Sequence, residues 1–290
     1  MKKSRKLATL GICSALFLGL AACQQQHATS EGTNQRQSSS AKVPWKASYT
    51  NLNNQVSTEE VKSLLSAHLD PNSVDAFFNL VNDYNTIVSS TGLSGDFTSF
   101  THTEYDVEKI SHLWNQKKGD FVGTNCRINS YCLLKNSVTI PKLEKNDQLL
   151  FLDNDAIDKG KVFDSQDKEE FDILFSRVPT EATTDVKVHA EKMETFFSQF
   201  QFNEKARMLS VVLHDNLDGE YLFVGHVGVL VPADDGFLFV EKLTFEEPYQ
   251  AIKFASKEDC YKYLGTKYAD YTGEGLAKPF IMDNDKWVKL

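Results

Sequence analysis

The sequence carries none of the short signatures that announce metal, phosphate or serine chemistry. His68, His102, His112, His189 and His214 show no His-Glu-x-x-His or other zinc spacing, which argues against a zinc centre. There is no Gly-rich phosphate loop and no Gly-x-Ser-x-Gly elbow, which argues against nucleotide-phosphate binding and a serine hydrolase of that type. Asp153-Asn154-Asp155-Ala156-Ile157-Asp158 looks like a calcium loop but has Ile where a ligand belongs, and no Gly or Glu at the required offsets. No metal and no other cofactor is therefore expected. Basic residues are the minority, 31 Lys and Arg against 40 Asp and Glu, for a formal charge of −9. An acidic surface argues against nucleic acid as a partner. No internal repeat is present.

The first 22 residues have the organisation of an export signal. Lys2, Lys3, Arg5 and Lys6 form a basic start, and residues 7–20 form an apolar run too short for a comfortable membrane span. Leu20-Ala21-Ala22-Cys23 then reads as a lipobox, in which small residues precede the cut and the Cys23 thiol takes a diacylglycerol. Two or more acyl chains anchor stably where one is marginal. The expected partner of Cys23 is membrane lipid, and the expected location is the outer face of a bacterial cell membrane. Loss of the signal takes the formal charge from −9 to about −13. Residues 23–42 are rich in Gln, Ser and Thr without apolar periodicity and read as a solvated tether. Residues 43–290 are long enough for one sizeable core.

Five cysteines are present. Cys13 leaves with the signal and Cys23 is lipidated, so Cys126, Cys132 and Cys260 remain. An odd number leaves at least one thiol free or paired to another molecule. Cys132 shares an apolar helical face with Ile128 and Tyr131. Cys260 lies on a stripe with Tyr263, Leu264, Tyr268 and Tyr271. Both are expected in the core. Cys126 differs: Gly123-Thr124-Asn125 is a turn that runs into a helix reaching about residue 134. A thiol at a helix N-terminus is biased towards thiolate.

The coarse pattern is helices first and strands later, an α+β domain. Ser57-Thr58-Glu59-Glu60 reads as a capping box for a helix over 57–68. Val74, Phe77, Phe78, Val81 and Tyr84 mark a second helix, and a third covers 106–115. Residues 149–152 are a short apolar run, 171–175 are ambiguous, and a helix starting near Val186 carries Met193, Phe196, Phe197 and Phe200. Strands are expected at 208–213, 220–231, 237–243 and 251–254. The turn Asp234-Asp235-Gly236 joins the second and third, and a helix over 256–271 follows.

His226 stands on the 220–231 strand between Gly225 and Gly228, where glycine implies close approach of backbone or ligand. A two- or four-residue turn at 233–236 puts His226 on the same side of the sheet as Phe239, Glu241 and Leu243. Glu241 is the only carboxylate in that set, with Asp234 and Asp235 as nearby alternatives. A thiol hydrolase needs a nucleophile, a base and a group that orients the base. Cys126, His226 and Glu241 are the candidates. Arg127 and Asn129 either orient a substrate or hydrate the first helical turn, and the second reading is preferred.

A nucleophile helix followed by a hairpin carrying His and a polar orienter resembles the core of the papain-like and NlpC-like cysteine peptidase superfamily, over about 120–255. The whole chain is also similar to the uncharacterised surface lipoprotein families of Gram-positive bacteria. The resemblance implies a helical part over 43–118 and a papain-like core over about 119–290, with the nucleophile helix packed on an antiparallel sheet. Papain-like enzymes carry a Gln a few residues before the Cys as an oxyanion donor, and here that place holds Asp120. The oxyanion would then rely on the Cys126 backbone N–H, with Asn125 or Thr124 assisting. The implied activity is hydrolysis of an amide, with cell-wall or other surface peptides as substrates. The alternatives are a binding or adhesion lipoprotein that keeps the fold without catalysis, and an acyl-transferring site of transglutaminase type.

Overall fold

The computed structural model describes residues 46–100 and 103–290. The expected export signal, Cys13, Cys23, the expected tether and His102 lie outside the described residues. Among those described, no helix is long and apolar enough to cross a membrane.

The protein is an α+β fold around one antiparallel sheet. The strands are β1 (Ala47–Thr50), β2 (Thr98–Ser99), β3 (Val178–Pro179), β4 (Arg207–Asp215), β5 (Tyr221–Ala233), β6 (Gly236–Lys242), β7 (Tyr249–Phe254), β8 (Phe280–Asp283) and β9 (Lys286–Val288). Their order is β2-β1-β7-β6-β5-β4-β8-β9, with β3 pairing β5 off this path. The helices are α1 (Gln55–Ser66), α2 (Pro71–Val88), α3 (Val107–Lys118), α4 (Cys126–Leu134), α5 (Phe151–Gly160), α6 (Ser165–Leu174), α7 (Val186–Phe197) and α8 (Lys257–Lys267). The expected helical part over 43–118 is not purely helical. β1 pairs with β7 and β2 pairs with β1, so this stretch supplies one edge of the sheet.

Several helix starts are set by short polar caps. Asp70, Asp106, Asp164, Asp185 and Ser256 each accept a backbone N–H from the first turn of their helix. At α1 the cap is Asn54, three residues before the expected one, and the helix begins at Gln55. Ser57 is buried within its first turn and donates to the Asn54 carbonyl. The ambiguous run at 171–175 closes α6, and 149–152 forms a 3-10 turn entering α5.

The sheet separates two apolar layers. Val224, Val227, Val229 and Val240 join the core shared with helices α1 to α7. Val211, Leu230, Phe239 and Ile252 pack with Tyr261, Tyr263, Leu264 and Tyr268 around α8. A bulge on β5 sets which residues face which layer. Val211 pairs with His226 but Val212 pairs with Val224, leaving Gly225 as the extra residue. Val224 and Val227, an odd number apart, therefore share a face, and His226 turns to the other. A side chain at Gly225 would place its Cβ 2.3 Å from Leu213 Cδ1. At Gly228 the clash would be with the Phe239 ring, also at 2.3 Å. Both glycines thus make room for neighbouring side chains of the sheet.

Candidate active site

The hairpin between β5 and β6 has a two-residue turn, with Ala233 paired to Gly236 and the register running back to Val229 opposite Val240. The recorded ladder stops there, and side chains of α4 take up carbonyls of β5 beyond it. Ser130 Oγ donates to the Val227 carbonyl at 3.2 Å, and Arg127 Nη1 donates to the Val224 carbonyl at 3.0 Å. The tip of α4 is thereby docked beside His226.

The α4 helix spans the residues expected from the sequence, with Cys126 as its first residue. Asn125 caps it by accepting the Ile128 N–H at 3.1 Å. Gly123 enters the turn at φ 90, a left-handed conformation that favours glycine. The first N–H groups of a helix have no partner within it, and the Cys126 N–H is one of these. The Asn125 and Thr124 side chains, the other expected oxyanion donors, are engaged elsewhere. Asn125 Nδ2 donates to Asp153 at 2.7 Å. Thr124 Oγ1 accepts from Asn129 Nδ2 at 2.9 Å, and Asn129 Oδ1 accepts from Tyr249 at 2.9 Å. These groups brace the helix start. Asp120, at the place of the papain-like Gln, is 88% exposed at its side chain and pairs with Lys159.

Asp153 is fully buried within α5 and forms a two-pronged ion pair with Arg127, at 2.9 Å to Nε and 2.7 Å to Nη2. The run that looks like a calcium loop is thus a helix whose first acidic residue serves Arg127 and Asn125. Arg127 and Asn129 fix the first turn of α4 rather than hydrating it. No group of His, Cys, Asp and Glu among the described residues is arranged to hold a metal.

His226 Nε2 lies 2.5 Å from Glu241 Oε2. Glu241 also accepts from the Tyr263 hydroxyl. Lys267 Nζ donates to that hydroxyl at 2.8 Å and stands 3.5 Å from Glu241 Oε1. Tyr268 stacks on the His226 ring with centroids 4.9 Å apart. Cys126 and His226 act on one another's ionisation. His226 and Glu241 are hydrogen-bonded, and Cys126 is coupled electrostatically to that pair.

Charge reinforces this arrangement. Burial pushes the Cys126 thiol up, but the His226 charge and hydrogen bond, with Arg127 behind them, bring it below its ordinary value. Burial disfavours the His226 cation, yet Cys126 and Glu241 together raise its pKa. Burial likewise opposes the Glu241 anion, while Lys267, His226 and Tyr263 hold it down at about 2. A thiolate beside an imidazolium is the state these shifts favour. Cys126 is 5% exposed, His226 2% and Glu241 1%, so the site as described is closed.

Cys132 and Cys260 are buried and free, as expected for core thiols. Burial pushes Cys132 up to about 12 and Cys260 well above its ordinary value. Tyr263 of α8, expected only as packing, also supplies a hydroxyl to Glu241. Lys242 had no sequence signal beyond a charge in a strand, yet it is buried. Its ammonium donates to the carbonyls of Thr244, Phe245 and Glu247 and lies 4.1 Å from the Tyr84 ring centroid. Burial lowers its pKa to about 7.

Fold and site together define an α+β protein with a buried cysteine–histidine–carboxylate series at the start of a helix. The chain belongs to the family described as Domain of unknown function (DUF4300), whose model matches residues 48–288. No curated protein and no solved structure matches it.

Proposed function

We propose that this protein is a lipid-anchored hydrolase on the outer face of a bacterial cell membrane, cleaving amide bonds with Cys126 as nucleophile. The observation that carries the reading is the Cys126–His226–Glu241 series at the α4 N-terminus. The helix-first, hairpin-later order supports a papain-like or NlpC-like core. The lipobox ending at Cys23 supports the location, and the location favours cell-wall or other surface peptides as substrates.

The Cys126 thiolate attacks the scissile carbonyl carbon, forming a C–S bond as the carbonyl π pair moves to oxygen. The Cys126 N–H stabilises that oxyanion at the helix start. When it collapses, the amide C–N bond breaks and the His226 imidazolium gives its proton to the departing amine. The neutral imidazole then takes a proton from water, which attacks the thioester. The C–S bond breaks, releasing the acid and returning the thiolate. Glu241 keeps the ring oriented and stabilises its charged form throughout.

The closed site favours a second reading, a surface binding lipoprotein in which the same three residues hold the fold without catalysis. Incubating the protein with cell-wall stem peptides and following new amine and carboxyl ends by mass spectrometry separates the two. The hydrolase reading expects cleavage, a thioester on Cys126 in quenched samples, and loss of both in Cys126→Ala. Transfer to an added amine in preference to water would identify the transglutaminase type instead. Absence of cleavage and of thioester across such peptides supports the binding reading.

A further inference from the structure

Lys242 ends β6, one residue after Glu241, and its ammonium is enclosed by the loop that follows. We propose that Lys242 is a positioning residue for the oxyanion donor of the Cys126 site, acting through that loop. It rests on the reading of Cys126 as a nucleophile and adds the group that sets the place of the Cys126 N–H.

Lys242 is 1% exposed. Its ammonium donates to the carbonyls of Thr244 at 2.8 Å, Phe245 at 3.2 Å and Glu247. The Tyr84 and Tyr249 ring centroids lie 4.1 and 5.3 Å from the charge. Carbonyls and ring faces, rather than a carboxylate, thus hold a buried cation, and burying one is costly. The neutral amine would have two N–H groups for three carbonyls, so the grip on the loop depends on the charge. Tyr84 completes the enclosure by donating to the Glu246 carbonyl at 2.5 Å.

The loop bears in turn on the entry to α4. A Cβ at Gly123 would lie 3.6 Å from the Phe245 carbonyl oxygen and 3.2 Å from the Trp114 ring, so this left-handed residue is seated between the two. Three residues on is Cys126, whose N–H is the donor left for an oxyanion once Asn125 and Thr124 are engaged. Tyr249, which faces the Lys242 charge, also donates to Asn129 in the first turn of α4. Lys242 therefore holds the Cys126 turn from two directions. An oxyanion donor acts only at the place where the oxyanion forms, so a small displacement costs acylation rate and leaves the thiolate as it was. Burial lowers Lys242 to about 7, against the opposing charges of Glu246, Glu247 and Cys126. Tyr84 and Tyr249, raised by burial, stay neutral beside it. The cation is present below that pH and is lost as pH rises through it.

The test compares two reactions of Cys126 in the folded protein between about pH 5 and 9, each followed on that residue by mass spectrometry. Iodoacetamide alkylates the thiolate without forming an oxyanion. With p-nitrophenyl acetate the sulfur bonds to the acetyl carbon, the ester C–O bond breaks, and nitrophenolate leaves without needing a proton. The ratio of acylation to alkylation therefore reads the oxyanion donor apart from the thiolate. In the wild type this ratio is expected to fall by about tenfold as pH rises through about 7. In Lys242→Met it is expected to be low and flat at every pH, with alkylation kept within about threefold of wild type. A wild-type ratio independent of pH would overturn the assignment, whether or not the variant folds. So would a Lys242→Met ratio equal to that of the wild type at acid pH. A wild-type Cys126 that iodoacetamide modifies no faster than Cys132 would instead overturn the nucleophile reading, and the assignment with it.

Discussion

Cys126 and Cys132 lie on the same nine-residue helix, and both are buried and free, yet their thiols are driven in opposite directions. Cys132 shows what burial does when it dominates, rising to about 12. Cys126 meets the same burial and ends below its ordinary value. The difference lies in what the two ends of the helix face. Cys126, in the first turn of α4, has His226 and the neighbouring Arg127 acting on it, while around Cys132 burial outweighs the charges of Lys135 and Asp167. Burial therefore does not silence a thiol when charged partners are buried with it, and those partners hold one another in place.

The largest break in this comparison comes from the support behind the helix start. Asp153→Asn leaves the Arg127 charge without its counter-ion in a nearly closed setting. It is expected to destabilise the protein by about 3–5 kcal/mol in urea unfolding. Asp153 itself pushes the Cys126 thiol up, so the folded variant should keep Cys126 reactive. A loss of reactivity together with stability would show that the ion pair acts on the thiol through geometry.

Glu241→Gln removes the charge behind His226 while keeping the shape. The Glu241 carboxyl is held at about 2 against an ordinary 4.5. Its contribution is fully present above pH 4.5 and lost as pH falls through about 2. The variant should flatten the acid limb of the stability profile, by roughly 3 kcal/mol, and move Cys126 towards the behaviour of Cys132. Thermal unfolding between pH 2 and 5 reads the first effect. Asn125→Ala is the mildest change, expected to cost about 1 kcal/mol through loss of the helix cap. It should shift Cys126 reactivity and leave Cys132 unchanged, which alkylation mass spectrometry can read for each cysteine separately.

How much of this was legible in the sequence follows from the range over which each feature is determined. The α4 boundaries were, because an Asn cap and an apolar helix fix them locally. The His226–Glu241 pairing was legible too, because a two-residue turn fixes hairpin parity. The bulge at Gly225 falls on the β4 side of β5 and leaves that parity intact. Asp153 was not legible, because its role depends on α5 lying across α4. The phenol of Tyr263 reads as an apolar side chain until its hydroxyl is seen on Glu241. Lys242 neighbours Glu241 in sequence but faces Tyr84 and Tyr249, and its three carbonyl partners lie in the following loop. Strands β1 and β8 have four residues each to pattern and find their partners β7 and β4 far along the chain.

The contrast between the two thiols turns on whether His226 holds Cys126 as a thiolate in the folded protein. The direct test is the rate of Cys126 alkylation by iodoacetamide between pH 5 and 10, in the wild type and in His226→Ala, with Cys132 as internal reference. In the wild type the rate should hold its plateau well below the ordinary thiol pKa of 9.0 and fall only towards acid. In the variant the inflection should rise above that value, and the rate at pH 7 should drop by about 100-fold. Superimposable profiles for the two proteins, or a wild-type Cys126 no faster than Cys132, would contradict the claim.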